Sequence, residues 1–234
     1  MESKKIIIIQ PKTVSFILVL IIAGLVLANI TGQVLRYDFG YNNLIIRAFD
    51  LDYERNIPTF FSSVLLLISA SMLGSIAAVK KKEQDSYTLH WTMLSVIFLF
   101  LAFDEIVSVH EHLIEPLRSA LHLGGVFYYA WVIPGILAVV CFAVLYFRFL
   151  FHLPKRSRFL FSIAAILYIG GAIGGEMIGG RYAFLHGVYN FSYSMLTTVE
   201  ETLEMAGILV FIFGLLCYVQ STFREISIFV GKKN

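Results

Sequence analysis

The chain has 234 residues, of which 58% are hydrophobic and only 15% are charged, and its mean hydropathy is +0.79. A water-soluble domain carries about 25% charged residues, so this composition excludes a soluble globular protein. The net charge of +2 averages unlike segments, and the basic clusters indicate membrane topology rather than a nucleic-acid partner. We therefore expect a lipid bilayer to be the chain's main solvent.

Long apolar runs predict the secondary structure. A hydrocarbon core about 30 Å thick needs roughly 20 mainly apolar residues for each spanning helix. In chain order, the runs of suitable length cover residues 13–31, 58–79, 89–109, 126–151, 159–179 and 196–219. The connections are mostly short, and no low-complexity linker divides them. We predict an all-α fold, a six-transmembrane-helix bundle that forms a single domain over residues 1–234.

The first run has the charge pattern of a signal peptide, because Lys4, Lys5 and Lys12 precede an apolar stretch. That stretch is about full spanning length, and the polar segment after it lacks a small-x-small cleavage site. The sequence therefore favours an uncleaved membrane anchor.

The distribution of Lys and Arg predicts the orientation. One side of the membrane would receive the N-terminus, the second and fourth connections and the C-terminus, with 13 of the 18 basic residues. The remaining five, on the other side, are Arg36, Arg47, Arg55, Arg118 and Arg181. By the positive-inside rule, both termini are predicted to be cytoplasmic.

Acidic side chains concentrate at the opposite end of the bundle. Seven of them lie near the ends of the third and fifth predicted helices and near the start of the sixth: Asp104, Glu105, Glu111, Glu176, Glu200, Glu201 and Glu204. Odd-numbered helices end where even-numbered helices begin, so these groups share one leaflet. The apolar part of the sixth helix, residues 205–219, is too short to span alone, and we expect its glutamates to enter the membrane.

Ionisable groups at this depth cost roughly 2.5–3.5 kcal/mol each, and few basic partners are available. A divalent metal would supply the counter-charge, since carboxylate and imidazole ligands from facing helices form metal sites in helix bundles. Asp104 and Glu111 share a helical face if the third helix continues that far, and Glu200 and Glu204 lie one turn apart. The predicted metal ligands are Asp104, His110, Glu111, Glu176, Glu200 and Glu204, and the predicted metal is iron, manganese or zinc.

Glycines predict close helix packing beside these acids. Six surround Glu176, namely Gly170, Gly171, Gly174, Gly175, Gly179 and Gly180. Gly207 and Gly214 prolong the side of the sixth helix that carries Glu200 and Glu204. We expect these surfaces to face the bundle interior.

Two further segments have weaker signals. Residues 50–56 place oxygen-bearing side chains at alternate positions, as a calcium loop does, but they lack its turn glycine and distal glutamate. The favoured interpretation is a charged outer loop before Pro58, which begins the next helix. Tyr128, Tyr129 and Trp131 are predicted to belong to the outer aromatic belt.

Three functional classes remain open. The first is a membrane metalloprotein that acts as an enzyme on a lipid or other apolar substrate. The second is a cation or proton transporter, and the third is a structural or assembly subunit of a membrane complex. Acidic clusters facing water serve as ion pathways, but the inner halves of the predicted helices contain almost no ionisable residues. The acids could also complement helix dipoles at a wet interface. Membrane lipids are expected partners, and the sequence does not indicate an oligomeric state.

Three motifs carry a resemblance to a known family. They are FDLDYERNIPTFFSS at residues 49–63, Asp104-Glu105 with His110-Glu111, and VEETLEMAG at residues 199–207. Together they resemble the recurrent motifs of an uncharacterised bacterial multipass membrane protein family. The resemblance implies a location in the bacterial inner membrane and implies that these acids belong together. It carries no activity.

Overall fold

The computed structural model describes residues 10–223 of the chain. Its α-helices are α1 (Pro11–Phe39), α2 (Leu44–Ala48), α3 (Ile57–Lys82), α4 (Thr88–Val107), α5 (Ile114–Leu121), α6 (Val132–His152), α7 (Lys155–Ile169), α8 (Glu176–His186) and α9 (Phe191–Thr222). The π-helical segment Gly170–Gly175 joins α7 to α8, so that Lys155–His186 forms one continuous helix. Short 3-10 turns, Glu111–Leu113 and Gly125–Phe127, lie on either side of α5. The described residues contain no β-strand.

Six helices are long and apolar enough to cross a membrane: α1, α3, α4, α6, the continuous α7–α8 helix and α9. The predicted all-α six-helix architecture is therefore confirmed, although several ends differ. Helix α9 begins at Phe191 rather than at residue 196, because the Asn190 side chain accepts a hydrogen bond from Tyr193 N at 2.9 Å and caps the helix. Helix α6 begins at Val132 rather than at residue 126, since the 3-10 turn that starts at Gly125, with φ +63°, comes first.

Helices α3 and α9 form the centre of the bundle. Helix α9 packs against α1, α3 and the α7–α8 helix, and α4 packs along α3. Two hydroxyl groups connect α3 and α4: Ser63 donates to Ala102 O at 2.9 Å, and Ser95 donates to Ala70 O at 2.8 Å. These bonds satisfy polar groups that lipid could not solvate.

Aromatic side chains fill the bundle at the end where α4 begins and α9 finishes. Trp91 of α4 is only 1% exposed and packs against Phe149 of α6, Phe161 of α7 and Tyr218 of α9. Closer to the membrane centre, Phe98 stacks on Phe211 with ring centroids 4.5 Å apart. We call this group the aromatic core. It joins four spanning helices and closes the half of the bundle away from the acids.

Basic residues cluster at the same end as the aromatic core. Lys80, Lys81 and Lys82 end α3, and the segment that starts α7 carries Lys155, Arg156 and Arg158. The N-terminal and C-terminal basic residues, Lys4, Lys5, Arg224, Lys232 and Lys233, lie outside the described residues. The cytoplasmic location of the termini therefore stays a prediction.

Candidate functional site

The glutamates of α9 lie directly against the glycines of the α7–α8 helix. A Cβ atom placed on Gly171 would lie 2.8 Å from Glu204 Cγ, and one on Gly175 would lie 2.7 Å from Glu200 Cγ. A larger residue at either position would overlap the glutamate. The sequence prediction of close packing is confirmed at Gly171 and Gly175, which allow Glu200 and Glu204 to face the bundle interior. Gly170 is exposed, and a Cβ atom on Gly170 or Gly174 would meet nothing within 4 Å.

Asp104 and His110 form a direct pair at the end of α4. The helix ends at Val107 because Ser108 adopts a left-handed conformation, with φ 55° and ψ 47°. The chain then turns back, so that His110 N donates to Asp104 Oδ1 at 3.0 Å and His110 Nδ1 lies 2.7 Å from Asp104 Oδ2. The expected shared helical face of Asp104 and Glu111 is wrong, since the helix does not continue. Glu111 is exposed at the start of the next turn.

Trp131 connects this pair to Glu176. Its indole Nε1 donates a hydrogen bond to Glu176 Oε1 at 3.1 Å, and its ring centroid lies 4.8 Å from that of His110. Sequence analysis assigned Trp131 to the aromatic belt. The structure places it between Glu176 and the Asp104–His110 pair, a position that its spacing along the chain did not indicate.

The loop between α2 and α3 is anchored by one buried acid. Asp50 is 1% exposed and accepts hydrogen bonds from Gln33 Nε2 and Arg36 Nη1, each at 2.7 Å. Its neighbour Leu51 donates its backbone N–H to Asn29 Oδ1, and Asn29 Nδ2 in turn donates to Thr198 of α9 at 2.7 Å. The loop is charged, as expected, but it is fixed to α1 and α9 through these contacts.

The anchored loop brings Asp52 and Glu54 to the mouth of the same site. Burial and the Asp50 carboxylate raise the pKa of Asp52 to about 7, although a hydrogen bond from Thr197 opposes the shift. Burial and the Glu111 carboxylate likewise raise the pKa of Glu54, which hydrogen-bonds to Ser108. Neither residue was among the predicted ligands. The alternating acids of the FDLDYE segment were the available signal.

The carboxyl groups from these segments lie within electrostatic reach of one another. We call this group the acidic cleft: Asp52, Glu54, Asp104, Glu105, Glu176, Glu200, Glu201 and Glu204. His110 contacts its edge; burial lowers the pKa of this imidazole, but the hydrogen bond and charge of Asp104 outweigh that effect and raise it. Arg36 is already engaged by Asp50. The cleft therefore contains far more acidic than basic side chains.

The predicted ligands have different positions in this arrangement. Asp104 and His110 are in contact, while Glu176, Glu200 and Glu204 line the cleft and Glu111 lies exposed near its mouth. Glu105 and Glu201, which were not among the predicted ligands, interact with Glu54 and Glu204 inside it. Within residues 10–223, no three His, Cys, Asp or Glu side chains form a ready-made metal ligand set.

Comparison with known proteins assigns the chain to a family but indicates no activity. No curated protein and no solved structure matches the chain. A match to a family described as a domain of unknown function (DUF8692) extends over residues 16–219, which includes all six spanning helices in whole or in large part. The chain therefore belongs to the DUF8692 family.

Proposed function

We propose that this multi-pass membrane protein binds a divalent metal, iron, manganese or zinc, in the acidic cleft and acts as an enzyme on a lipid or other apolar substrate. The observation that carries the proposal is the convergence of carboxyl groups from the 50–56 loop, α4, the α7–α8 helix and α9 around a single Asp104–His110 pair. We place this site near the outer leaflet, in a bacterial inner membrane.

Electrostatics supports a cation at this position. Carboxylates that share a low-dielectric site repel one another, so they must either bind protons or acquire a counter-ion. A divalent metal supplies that charge, and mixed carboxylate and imidazole ligands suit iron, manganese and zinc.

The candidate ligands are Glu105, Glu176, Glu200, Glu201 and Glu204, with His110, which Asp104 orients, as the imidazole ligand at the edge. Their carboxylates would have to turn toward one point, which long glutamate side chains can do while their helices stay fixed. Such a metal would polarise a substrate oxygen or activate water.

The aromatic core favours binding over transport. A transport pathway must continue from the acidic cleft to the other side, but Trp91, Phe98 and Phe211 fill the bundle along that route. Apolar side chains offer no ligands to an ion. The aromatic core therefore separates the acids from the other side of the bundle.

Elemental analysis of the purified protein in mild detergent tests the metal. We expect about one equivalent or more of iron, manganese or zinc, and a sharp loss of metal in Asp104→Asn and Glu204→Gln, which remove charge while nearly preserving volume. Glu115→Gln is the matched control, because Glu115 is exposed on α5 and pairs with Arg118. A wild-type protein that takes up no metal after reconstitution, with more thermostable acid-to-amide variants, would overturn the proposal.

Flux measurements in liposomes distinguish transport from binding. Under an imposed gradient of protons or of a common cation, we expect no flux through the wild-type protein. Flux that disappears in Glu204→Gln but persists in Glu115→Gln would establish a transport pathway. It would also refute the inference that the aromatic core closes the other half of the bundle.

A further inference from the structure

Three arginines predicted to lie on the outer side, Arg47, Arg55 and Arg181, form no ion pair among the described residues. Of the basic residues predicted to lie outside, Arg36 pairs with Asp50, and Arg118 pairs with Glu115. Arg47 and Arg55 form no ion pair in residues 10–223, and both line one groove. Basic residues are disfavoured on this side of a membrane protein, so two in one groove require an explanation.

The groove lies between α2, the 50–56 loop and the first turn of α3, and its volume is about 560 Å³. Its apolar wall includes Leu44, Ile57 and Phe60, whose exposed fractions are 83%, 45% and 67%. Phe60 lies where α3 enters the membrane. The groove therefore has a cationic end at the interface and an apolar side that faces the acyl-chain region.

The backbone around the two arginines is fixed. The Asn56 side chain donates to Asp50 O and to Arg47 O, so it connects the loop that carries Arg55 to the end of α2. Arg47 Nε donates to Asn42 Oδ1 at 3.0 Å, and this bond leaves the rest of its guanidinium group for another acceptor. Glu54 also lines the groove, but Ser108 engages its carboxyl group.

We propose that this groove binds a membrane lipid through its phosphate headgroup, with Arg47 and Arg55 contacting the phosphate and an acyl chain lying along Ile57 and Phe60. A guanidinium group matches phosphate geometry and is less strongly hydrated than an ammonium group. An anionic lipid such as phosphatidylglycerol fits better than a zwitterionic one, since it brings no compensating cation. This site does not depend on a metal in the acidic cleft.

Native mass spectrometry of the delipidated full-length protein tests this inference. We expect the wild type to retain added phosphatidylglycerol more strongly than phosphatidylcholine. One arginine near a membrane surface contributes about 1 kcal/mol to binding an anionic lipid, or roughly 5-fold in affinity. Arg47→Gln with Arg55→Gln should therefore weaken phosphatidylglycerol binding by about 25-fold.

Two controls make the result specific. Arg181→Gln changes another exposed outer arginine that does not line the groove, and it should bind as the wild type does. The variant Arg47→Lys with Arg55→Lys keeps both charges and should retain most of the binding. This result would show that the loss in the double glutamine variant comes from the missing charges and not from misfolding.

Equal retention of the two lipids, or an equal loss in Arg181→Gln, would overturn the proposal. Displacement of the lipid by an equal concentration of glycerol phosphate would show that the groove takes a free phosphate ester and would also refute the lipid assignment.

Discussion

Replacing Gly171 with alanine tests how the acidic cleft is built. A Cβ atom at this position would lie 2.8 Å from Glu200 O and 2.8 Å from Glu204 Cγ. The backbone carbonyl cannot turn aside, so α9 and the α7–α8 helix must separate. We expect the substitution to loosen the contact that orients Glu204.

The adjacent Gly170 is a matched control, because a Cβ there meets nothing within 4 Å. Both glycines belong to the π-helical segment, so the gain in helix propensity, about 1 kcal/mol for Gly→Ala, is common to the two variants and cancels in their comparison. Overpacking of a tight contact costs about 1–3 kcal/mol. Gly171→Ala should therefore be less stable than Gly170→Ala by that amount.

Thermal unfolding in detergent measures the difference. For a chain of this size, 1 kcal/mol corresponds to about 2–4 °C, so Tm should differ by at least a few degrees. Metal content should also fall in Gly171→Ala and stay unchanged in Gly170→Ala. Equal Tm values for the two variants would mean that the helices are not in contact at Gly171, and the described packing of the cleft would be wrong.

Three other perturbations probe the loop and the site. Asp50→Asn should lower the free energy of unfolding by about 3 kcal/mol, because it removes the buried partner of Arg36, and a lower Tm would show this. In metal-free protein, burial and Asp50 raise the pKa of Asp52 from 3.8 to about 7. The protonated carboxyl group therefore stabilises the folded state at low pH, and this contribution to the free energy of unfolding is lost as pH rises from about 4 through 7. Asp52→Asn should make the Tm depend less on pH over this range. Manganese added to metal-free protein should quench the fluorescence of Trp131, so Trp131→Phe should lose the quenching, while Trp91→Phe in the aromatic core should keep it.

The spanning helices were predictable because a bilayer imposes a length and a composition on each of them. The ends of these helices were less predictable, since capping residues determine where each helix begins and ends. Asn190 extends α9 beyond its apolar part. Ser108 ends α4 with a left-handed conformation, which a serine in the sequence does not predict. The prediction that Asp104 and Glu111 share a helical face was wrong because the conformation of Ser108 ends the helix.

The core of the acidic site was also predictable, because acids on neighbouring helices must share a leaflet. The contribution of the 50–56 loop was not. Asp50 is fixed by Gln33 and Arg36, which lie 17 and 14 residues away along the chain, and periodicity does not relate such positions. Trp131 was assigned by residue type to the interface, and only the tertiary fold brings it to Glu176.

The Asp50–Arg36 pair is best understood as a positioning device. Burying an ion pair stabilises a fold little, since desolvation offsets the attraction. Here the same carboxylate also accepts hydrogen bonds from Gln33 and from the backbone N–H of Asp52. That second bond sets the direction in which Asp52 leaves the loop. A neutral residue at position 50 could fill the space, but it could not hold Arg36 and orient Asp52 together. The buried charge therefore makes the loop part of the acidic cleft, and it accounts for two acids of one loop with different roles: Asp50 is paired with Arg36, and Asp52 faces the other carboxyl groups.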